Sequence, residues 1–390
     1  MIVNTCGFID AAKEESIAAI LDAAEAAHAR GARLAAVGCL VERYRDELAR
    51  ELPEVDLWCG LDTSPLLALV AAAGAQGAAG APSAPAPRPR RPVSAYVKLS
   101  DGCDRRCSFC AIPLIKGDYE IVPAGEVLRS AGAALAAGAR ELVLVGQDTS
   151  RWEQPGWGGL SRLLGELAAL EPAPAWLRLL YLQPDGVDAR LLDALAAHAV
   201  PYVDVPLQHA SRAVLRRMRR GGDGEAHLRL LERVRAALPG AAVRSTFIAG
   251  FPGETDAEFA ELLEFVREAR LAVAGVFVYD EQEGTGAVGM AGQVPRALAL
   301  ERAALLGETI DLEARRFWED LAGREVEVLV ERGTSRSDGV VTGRCVYQAP
   351  DVDGRTVVRG LRARRGSLIR ALVTDALGYD VEAVAGTGEP

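Results

Sequence analysis

The sequence predicts an α/β chain in three parts: a βα domain over residues 1–70, a parallel βα domain over residues 94–322, and a small β-barrel of OB-like kind over residues 323–390. Three observations predict it. Strand and helix signals alternate through the first two parts, the order that yields parallel sheets with right-handed crossovers. Residues 71–93 read AAAGAQGAAGAPSAPAPRPRRPV, alanine, glycine and proline with no apolar period, which marks a linker. Beyond residue 322 the pattern changes to period two, valine alternating with glutamate over Glu325–Glu331.

In the first part, Met1–Asn4 reads as a strand. Asp10 can cap a helix running to about Ala29, with Ile17, Ile20, Leu21 and Ala24 on one face and Gly31 at its end. A second strand at Leu34–Val37 and a helix ending before Pro53 follow. Cys6 and Cys39 each come directly after a strand. Residues at the carboxyl ends of neighbouring parallel strands converge on one crevice, so these two cysteines can share a site; the other reading is a pair of buried structural thiols. Cys59 reads as a buried thiol.

In the second part, strand candidates are Ala95–Leu99, Glu141–Val145, Leu177–Tyr181, Tyr202–Pro206, Arg244–Ile248 and Gly275–Tyr279, with helices between them. Such sheets carry their sites on the loops after the strands. The loop after the first strand holds Cys103, Cys107 and Cys110, spaced C-x₃-C-x₂-C, in a chain with seven cysteines. Three thiolates this close suit iron or zinc. A zinc site wants a fourth close ligand, and no histidine lies between Cys103 and His198. A four-iron cluster held by three thiolates leaves one iron open to a ligand. His209, in the loop after the fourth strand, is read as an acid–base group or as an orienting one.

In the third part, strands are expected at Glu325–Glu331, Val340–Tyr347, Thr356–Leu361, Ser367–Thr374 and Tyr379–Ala383, with Cys345 in the core. Arg355, Arg359, Arg362, Arg364, Arg365 and Arg370 fall in a stretch without acids, either a phosphate-binding face or ordinary solvated strands.

Composition sets the class. No apolar run of about 18 residues predicts a membrane span, and no signal-peptide pattern is found. Seven cysteines, odd in number and partly clustered, argue for a reducing, cytoplasmic compartment. The net charge of −10 disfavours a broad nucleic-acid footprint and suits a basic protein partner.

The cysteine spacing with Phe109 before the last cysteine is the signature of the radical S-adenosylmethionine (SAM) superfamily. With its flanks, Ala95–Gly102 and Ala111–Gly117, the chain resembles the methylthiotransferases. The resemblance implies a six-unit partial barrel and a 4Fe–4S cluster on Cys103, Cys107 and Cys110, whose open iron binds SAM for reductive cleavage to a 5′-deoxyadenosyl radical. Gly146–Ser150, Gln183-Pro184, Gln208–Ser211 and Phe247–Thr255, in that order, look like the superfamily's SAM-binding edge. This implies Phe109 near adenine and Gln147, Gly250, Gly253 and Glu254 at the pocket, although each also reads as a turn or helix cap, as Thr255–Glu258 does.

Asn4–Asp10 with Ala12–Ser16, and Gly38–Leu40 with Arg43-Tyr44, resemble the amino-terminal domain of the RimO-type branch, which modifies an aspartate of small-subunit ribosomal protein twelve. In that family three cysteines of this domain bind a second 4Fe–4S cluster. Cys6 and Cys39 match two of them; the first belongs to a strand-and-turn segment that this sequence does not carry, so the sheet would lack a strand and the second cluster a ligand. The chain also departs after Lys116-Gly117, where Ile121-Val122-Pro123 replaces the family's Ser-Arg-Pro. The last part resembles the TRAM domain, and Gly343-Arg344-Cys345 with Ala349–Gly354 favours the ribosomal-protein branch. The partners so implied are ribosomal protein twelve or the ribosome, a reductant such as flavodoxin or ferredoxin, and RNA through the TRAM domain. Two other readings share these parts: a MiaB-type tRNA adenosine methylthiotransferase, and a truncated protein that binds SAM or ribosomes without turnover.

Overall fold

The structure, a computed structural model, describes residues 1–77, 92–334 and 339–386. The proline-rich part of the expected linker lies outside these residues. The chain divides into two compact units. The first joins Met1–Arg90, Gly102–Tyr119 and Asp280–Gly289; the second holds Arg91–Asp101, Glu120–Tyr279 and Met290–Pro390.

In the first unit, β1 (Ile2–Thr5), α1 (Asp10–Arg30), β2 (Ala35–Gly38), α2 (Cys39–Glu51), β3 (Leu57–Cys59) and α3 (Ser64–Gly77) alternate, and the three strands pair in parallel in the order β1–β2–β3. A short helix α4 (Ile112–Lys116) lies in the cysteine segment. Ile20, Leu34, Leu40, Val41 and Trp58 form the core. Helix α1 buries Ile20, Ala23, Ala24 and Ala27 but leaves Ile17 and Leu21 exposed, so its buried face is rotated from the one expected. Alanine on every side of this helix blurs the apolar stripe, and close packing on the sheet selects the small residues. Ile9 occupies the cap position and Asp10 the first helical residue, where a carboxylate still meets the positive end of the helix dipole. Helix α3 runs on into the stretch expected to be linker, because alanine is the strongest helix former.

In the second unit, β4 (Ser94–Lys98), β5 (Glu141–Val145), β6 (Trp176–Leu179), β7 (Tyr202–Asp204), β8 (Ala242–Ala249) and β9 (Val273–Val278) pair in parallel as the triplets β4–β5–β6 and β7–β8–β9. Val200 N donates to Leu177 O and Leu182 N to Asp204 O between the triplets, so six strands follow one another in chain order. Helices α5 (Ala124–Ala136), α6 (Leu160–Ala168), α7 (Ala189–His198), α8 (Arg212–Arg217), α9 (Gly224–Ala237), α10 (Asp256–Ala269) and α11 (Arg296–Glu319) complete the repeating βα units. Leu142, Leu144, Leu163, Leu191, Phe247 and Leu262 are among the side chains of the core they cover.

The rest of this unit is a closed five-stranded barrel of β10 (Glu325–Arg332), β11 (Val340–Cys345), β12 (Thr356–Arg359), β13 (Leu368–Leu377) and β14 (Asp380–Ala385), ordered β10–β11–β12–β14–β13. Cys345 is buried, which pushes its thiol pKa up. The small barrel engages the amino ends of the parallel strands. Glu141, Trp176 and Tyr202, the first residues of β5, β6 and β7, bond Arg344, Glu327 and Asp353 respectively. Glu141 is fully buried between Arg178 Nε at 2.8 Å and Arg344 Nη2 at 2.6 Å, and it accepts from Ser94 Oγ at 2.7 Å. Burial works to raise its pKa, but the two guanidinium groups hold it below the usual carboxylate range.

Two stability predictions follow from these buried charges. Glu141→Gln leaves the buried Arg178 guanidinium without a counter-charge, while Arg344 keeps Glu331, and should cost about 3 kcal/mol in urea unfolding; a loss under about 1 kcal/mol would mean that water reaches Arg178. His227, buried on α9, has its pKa pushed down from 6.5 to about 4 by burial and then by Arg220. The unfolded chain therefore takes up a proton in that window that the native chain refuses. The His227 contribution should be complete above pH 6.5 and lost progressively as pH falls toward 4, about 3 kcal/mol in all. The same pH series on His227→Gln, read as unfolding free energy of the cofactor-free chain, should lack that part of the slope.

Candidate functional site

Parallel strands deliver their carboxyl ends to one edge, and in the second unit that edge is polar. Each of the first four strands is followed by a buried side-chain atom with no hydrogen-bond partner among the described residues: Ser100 Oγ after β4, Gln147 Oε1 after β5, Gln183 Oε1 after β6 and His209 Nε2 after β7. Interiors leave few such atoms unpaired, and a row of them on one edge fits a ligand that supplies the missing partners. The backbone is strained at the same place. Tyr181 (φ 60°) and Gln208 (φ 71°) adopt left-handed conformations just past β6 and β7. The Tyr181 amide donates to Asp204 Oδ2 at 3.0 Å and the Gln208 amide to Thr246 O at 2.8 Å, which holds both turns.

The turn after β8 is built around Glu254. Gly250 has φ +74°, and a Cβ there would stand 2.3 Å from the Cβ of Ala299. Its amide donates to both oxygens of Glu254, at 3.2 and 3.1 Å. Arg302 Nη1, from α11, donates to Glu254 Oε1 at 2.8 Å and to the Glu254 carbonyl at 3.0 Å. His209 accepts the Ser211 amide on Nδ1 at 2.9 Å, which leaves Nε2 as the protonated nitrogen of a neutral ring; Nε2 lies 3.4 Å from Glu254 Oε2 without hydrogen-bonding geometry. The Glu254 carboxylate, expected at the pocket, is thus fully buried and committed to Gly250 and Arg302; its contribution to the edge runs through the shape of the Gly250 turn. Gly253 (φ +78°) donates to Gly292 O at 2.7 Å and accepts from Arg217 Nη2 at 2.9 Å. Thr255 and Glu258 form the capping box that starts α10. Arg302 was not foreseen: it sits in an arginine-rich helix, and nothing local marks it as the partner of Glu254.

In the first unit, the pairing of Thr5 with Gly38 places Cys6 and Cys39 one residue beyond the same sheet edge. Gly38 is required there, with φ +111° and a Cβ position 2.5 Å from Thr5 O. Cys6 is exposed, its amide donating to Ser16 Oγ and its carbonyl accepting from the same hydroxyl. Cys39 begins α2 and is half-buried; Cys59, paired with Val37 inside the sheet, is buried. The Cys103–Cys110 loop is closed by its own backbone. Cys103 N donates to Gly117 O at 3.1 Å, Tyr119 N to Asp104 Oδ1 at 2.8 Å, and Arg106 bonds both Asp118 and Cys103 O. Cys110 N donates to Cys107 O at 3.1 Å and turns the chain about Phe109. Cys103 is buried; Cys107, Phe109 and Cys110 are half-buried. Among the described residues no three Cys, His, Asp or Glu side chains stand gathered as a metal site. The donor set of the loop is nonetheless three sulfurs on one closed turn, the chemistry an iron–sulfur cluster uses, so the residues fit such a group.

The fold and these residues define a radical SAM protein. The radical SAM superfamily model matches residues 97–266, the TRAM domain model residues 322–385, and the model of uncharacterized protein family UPF0004 residues 1–60. The chain is 40% identical over 394 residues to the ribosomal protein uS12 methylthiotransferase RimO of Anaeromyxobacter sp. (strain K), covering 98% of this chain and 84% of that protein. It is 40% identical over 399 residues to the same enzyme of Sorangium cellulosum (strain So ce56), covering 98% and 82%. The chain belongs to this family of radical SAM methylthiotransferases, whose cofactors are a 4Fe–4S cluster and SAM. In fold alone it is similar to the radical SAM methyltransferase TsrM from Kitasatospora setae, solved with cobalamin and a [4Fe-4S] cluster bound, at 17% identity and a TM-score of 0.50 over 66% of this chain and 60% of that one. No helix among the described residues is long and apolar enough to cross a membrane.

Gly250→Ala tests the turn. The added methyl must displace Ala299 and Gly250 would lose its preferred backbone conformation, so SAM affinity measured by calorimetry on the cluster-loaded protein should fall about tenfold or more. Unchanged affinity would remove this turn from the cofactor edge.

Proposed function

We propose that this chain converts a C–H bond at the β-carbon of an aspartate in ribosomal protein uS12 into C–S–CH₃. The observation that carries this reading is the alignment with RimO relatives across 98% of the chain, with all three family models matched in their order along it. Cys103, Cys107 and Cys110 hold the cluster that cleaves SAM. Cys6 and Cys39, side by side at the sheet edge, help hold a sulfur-carrying second cluster. When bound, these groups and SAM supply the electron, the hydrogen-abstracting radical, the sulfur and the methyl group. Phe109 lies near the adenine, Gln147 offers its unpaired Oε1 to the cofactor, and Gly250 and Gly253 bring backbone close to it, with Glu254 fixing their turn.

The chain's other expected properties take the same standing. It works in the cytoplasm on the ribosomal protein or the whole ribosome, with a flavodoxin or ferredoxin as reductant. The six arginines of the acid-free stretch of the small barrel are exposed, and Arg355 and Arg359 pair with Asp380 and Glu382 of β14, so its RNA contact is a modest one that includes Arg362, Arg364 and Arg370. Mass spectrometry of uS12 co-expressed with this chain should show one added methylthio group on an aspartate, abolished by Cys103→Ala. A methylthio-nucleoside appearing in tRNA while uS12 stays unmodified would replace this reading with tRNA modification.

A further inference from the structure

One segment of the first unit, Asp280–Gly289, touches every cysteine-bearing loop expected to carry a cluster, and one buried side chain organises it. Gln282, 2% exposed, donates from Nε2 to Asp280 Oδ2 at 2.7 Å and to Asp10 Oδ1 at 3.2 Å, and accepts from Arg43 Nη1 on Oε1 at 3.2 Å. Asp280 also accepts the Asp10 amide at 2.7 Å. Arg43, one turn along α2 from Cys39, reaches Glu283 O and, at 3.5 Å, Gly7 O beside Cys6. At the other end of the segment, Ala287 N donates to Ser108 O at 2.7 Å, between Cys107 and Cys110, and Gly284 lies against Leu114 of α4. Thr285 holds the middle through Gln282 O, with Oγ1 at 2.7 Å.

We propose that Gln282 is a positioning residue for sulfur transfer: through it, Asp280–Gly289 holds the Cys6 and Cys39 edge at a fixed setting against the Cys107–Cys110 turn. The inference rests on the function proposed above. The position dictates its own residue. It faces two carboxylates that need donors and one guanidinium that needs an acceptor. A primary amide of this length does both; glutamate only accepts, lysine only donates. Nothing in the network is a cluster ligand, so its effect on chemistry passes through geometry. Fixed geometry matters because a misplacement of about 1 Å between reacting groups costs about a hundredfold.

Hydrogen exchange on the cofactor-free chain tests the clamp directly. In Gln282→Ala, amides of residues 6–12 and 104–112 should both exchange about tenfold faster while those of β5 and β8 keep their rates. Gln282→Glu should do the same, because a third carboxylate meets Asp10 and Asp280. Adding Asp280→Asn to Gln282→Glu restores a donor opposite the new acceptor and should recover protection at both loops. In the loaded enzyme, methylthio product per SAM cleaved should fall about tenfold to a hundredfold in Gln282→Ala and recover in the double variant. Should Gln282→Ala fail to fold, Gln282→Glu and its double decide. Unaltered exchange at 104–112, or product and SAM cleavage falling in step with no recovery in the double, overturns the proposal. A wild-type chain that cleaves SAM without methylthio product sinks the functional reading instead, and the exchange comparison still judges the clamp.

Discussion

A carboxylate at the amino end of β5 is fully buried, and two guanidinium groups of the second unit are placed against it. Glu141 needs Arg178 from β6 and Arg344 from β11 at once. One guanidinium alone would balance the formal charge but leave the other carboxylate oxygen without its ion-pair partner in a buried site. This requirement ties the five-stranded barrel to the amino ends of the parallel strands, and Tyr202–Asp353 and Trp176–Glu327 repeat the tie at β7 and β6. The consequence for function is directional. The amino ends are used for stability and the carboxyl ends are left for loops that bind, the division of labour that parallel βα architectures show in general.

The first unit solves a different problem, placing cysteines by backbone geometry. Cys6 stands at a strand end and Cys39 at a helix start, where the register of two strands fixes their neighbours. The Cys103–Cys110 loop is held by backbone bonds between its own ends, with Cys103 buried and Cys107 and Cys110 half-buried. Polar contacts from a third segment then add to the apolar core of this unit, through a buried glutamine bonded to three charged neighbours.

Much of this was legible in the sequence. The six parallel strands of the second unit were expected from the alternation of strand and helix signals, and the five strands of the small barrel from strand-forming runs separated by turns, whereas β3 of the first unit was not expected. The cysteine spacing and the strand-end loops were legible for the same reason: site residues sit at fixed offsets from the strands that carry them. What escaped was set by tertiary partners. The rotation of α1 depends on which alanines touch the sheet, and α3 on a propensity that low-complexity composition hides. Arg302 and Gln282 act on residues 48 and 272 positions away, at Glu254 and Asp10, and a sequence offers no local sign of a bond that long.

The carboxyl edge of the second unit shows what its stability was set aside for. Each buried polar atom left without a partner costs about 1–3 kcal/mol, and Ser100, Gln147, Gln183 and His209 line up four of them beside two strained turns. A chain selected only for stability would have paired or replaced them, since apolar groups of the same shape are nearly neutral there. They stand in a row, one per strand end, where a polar ligand can supply their partners. A ligand with hydrogen-bond donors and acceptors spread along its length, as SAM has in its amino-acid, ribose and adenine parts, meets four sites on successive strands more fully than a compact anion could. The orphaned atoms thus give the proposed cofactor edge polar partners suited to an extended polar ligand.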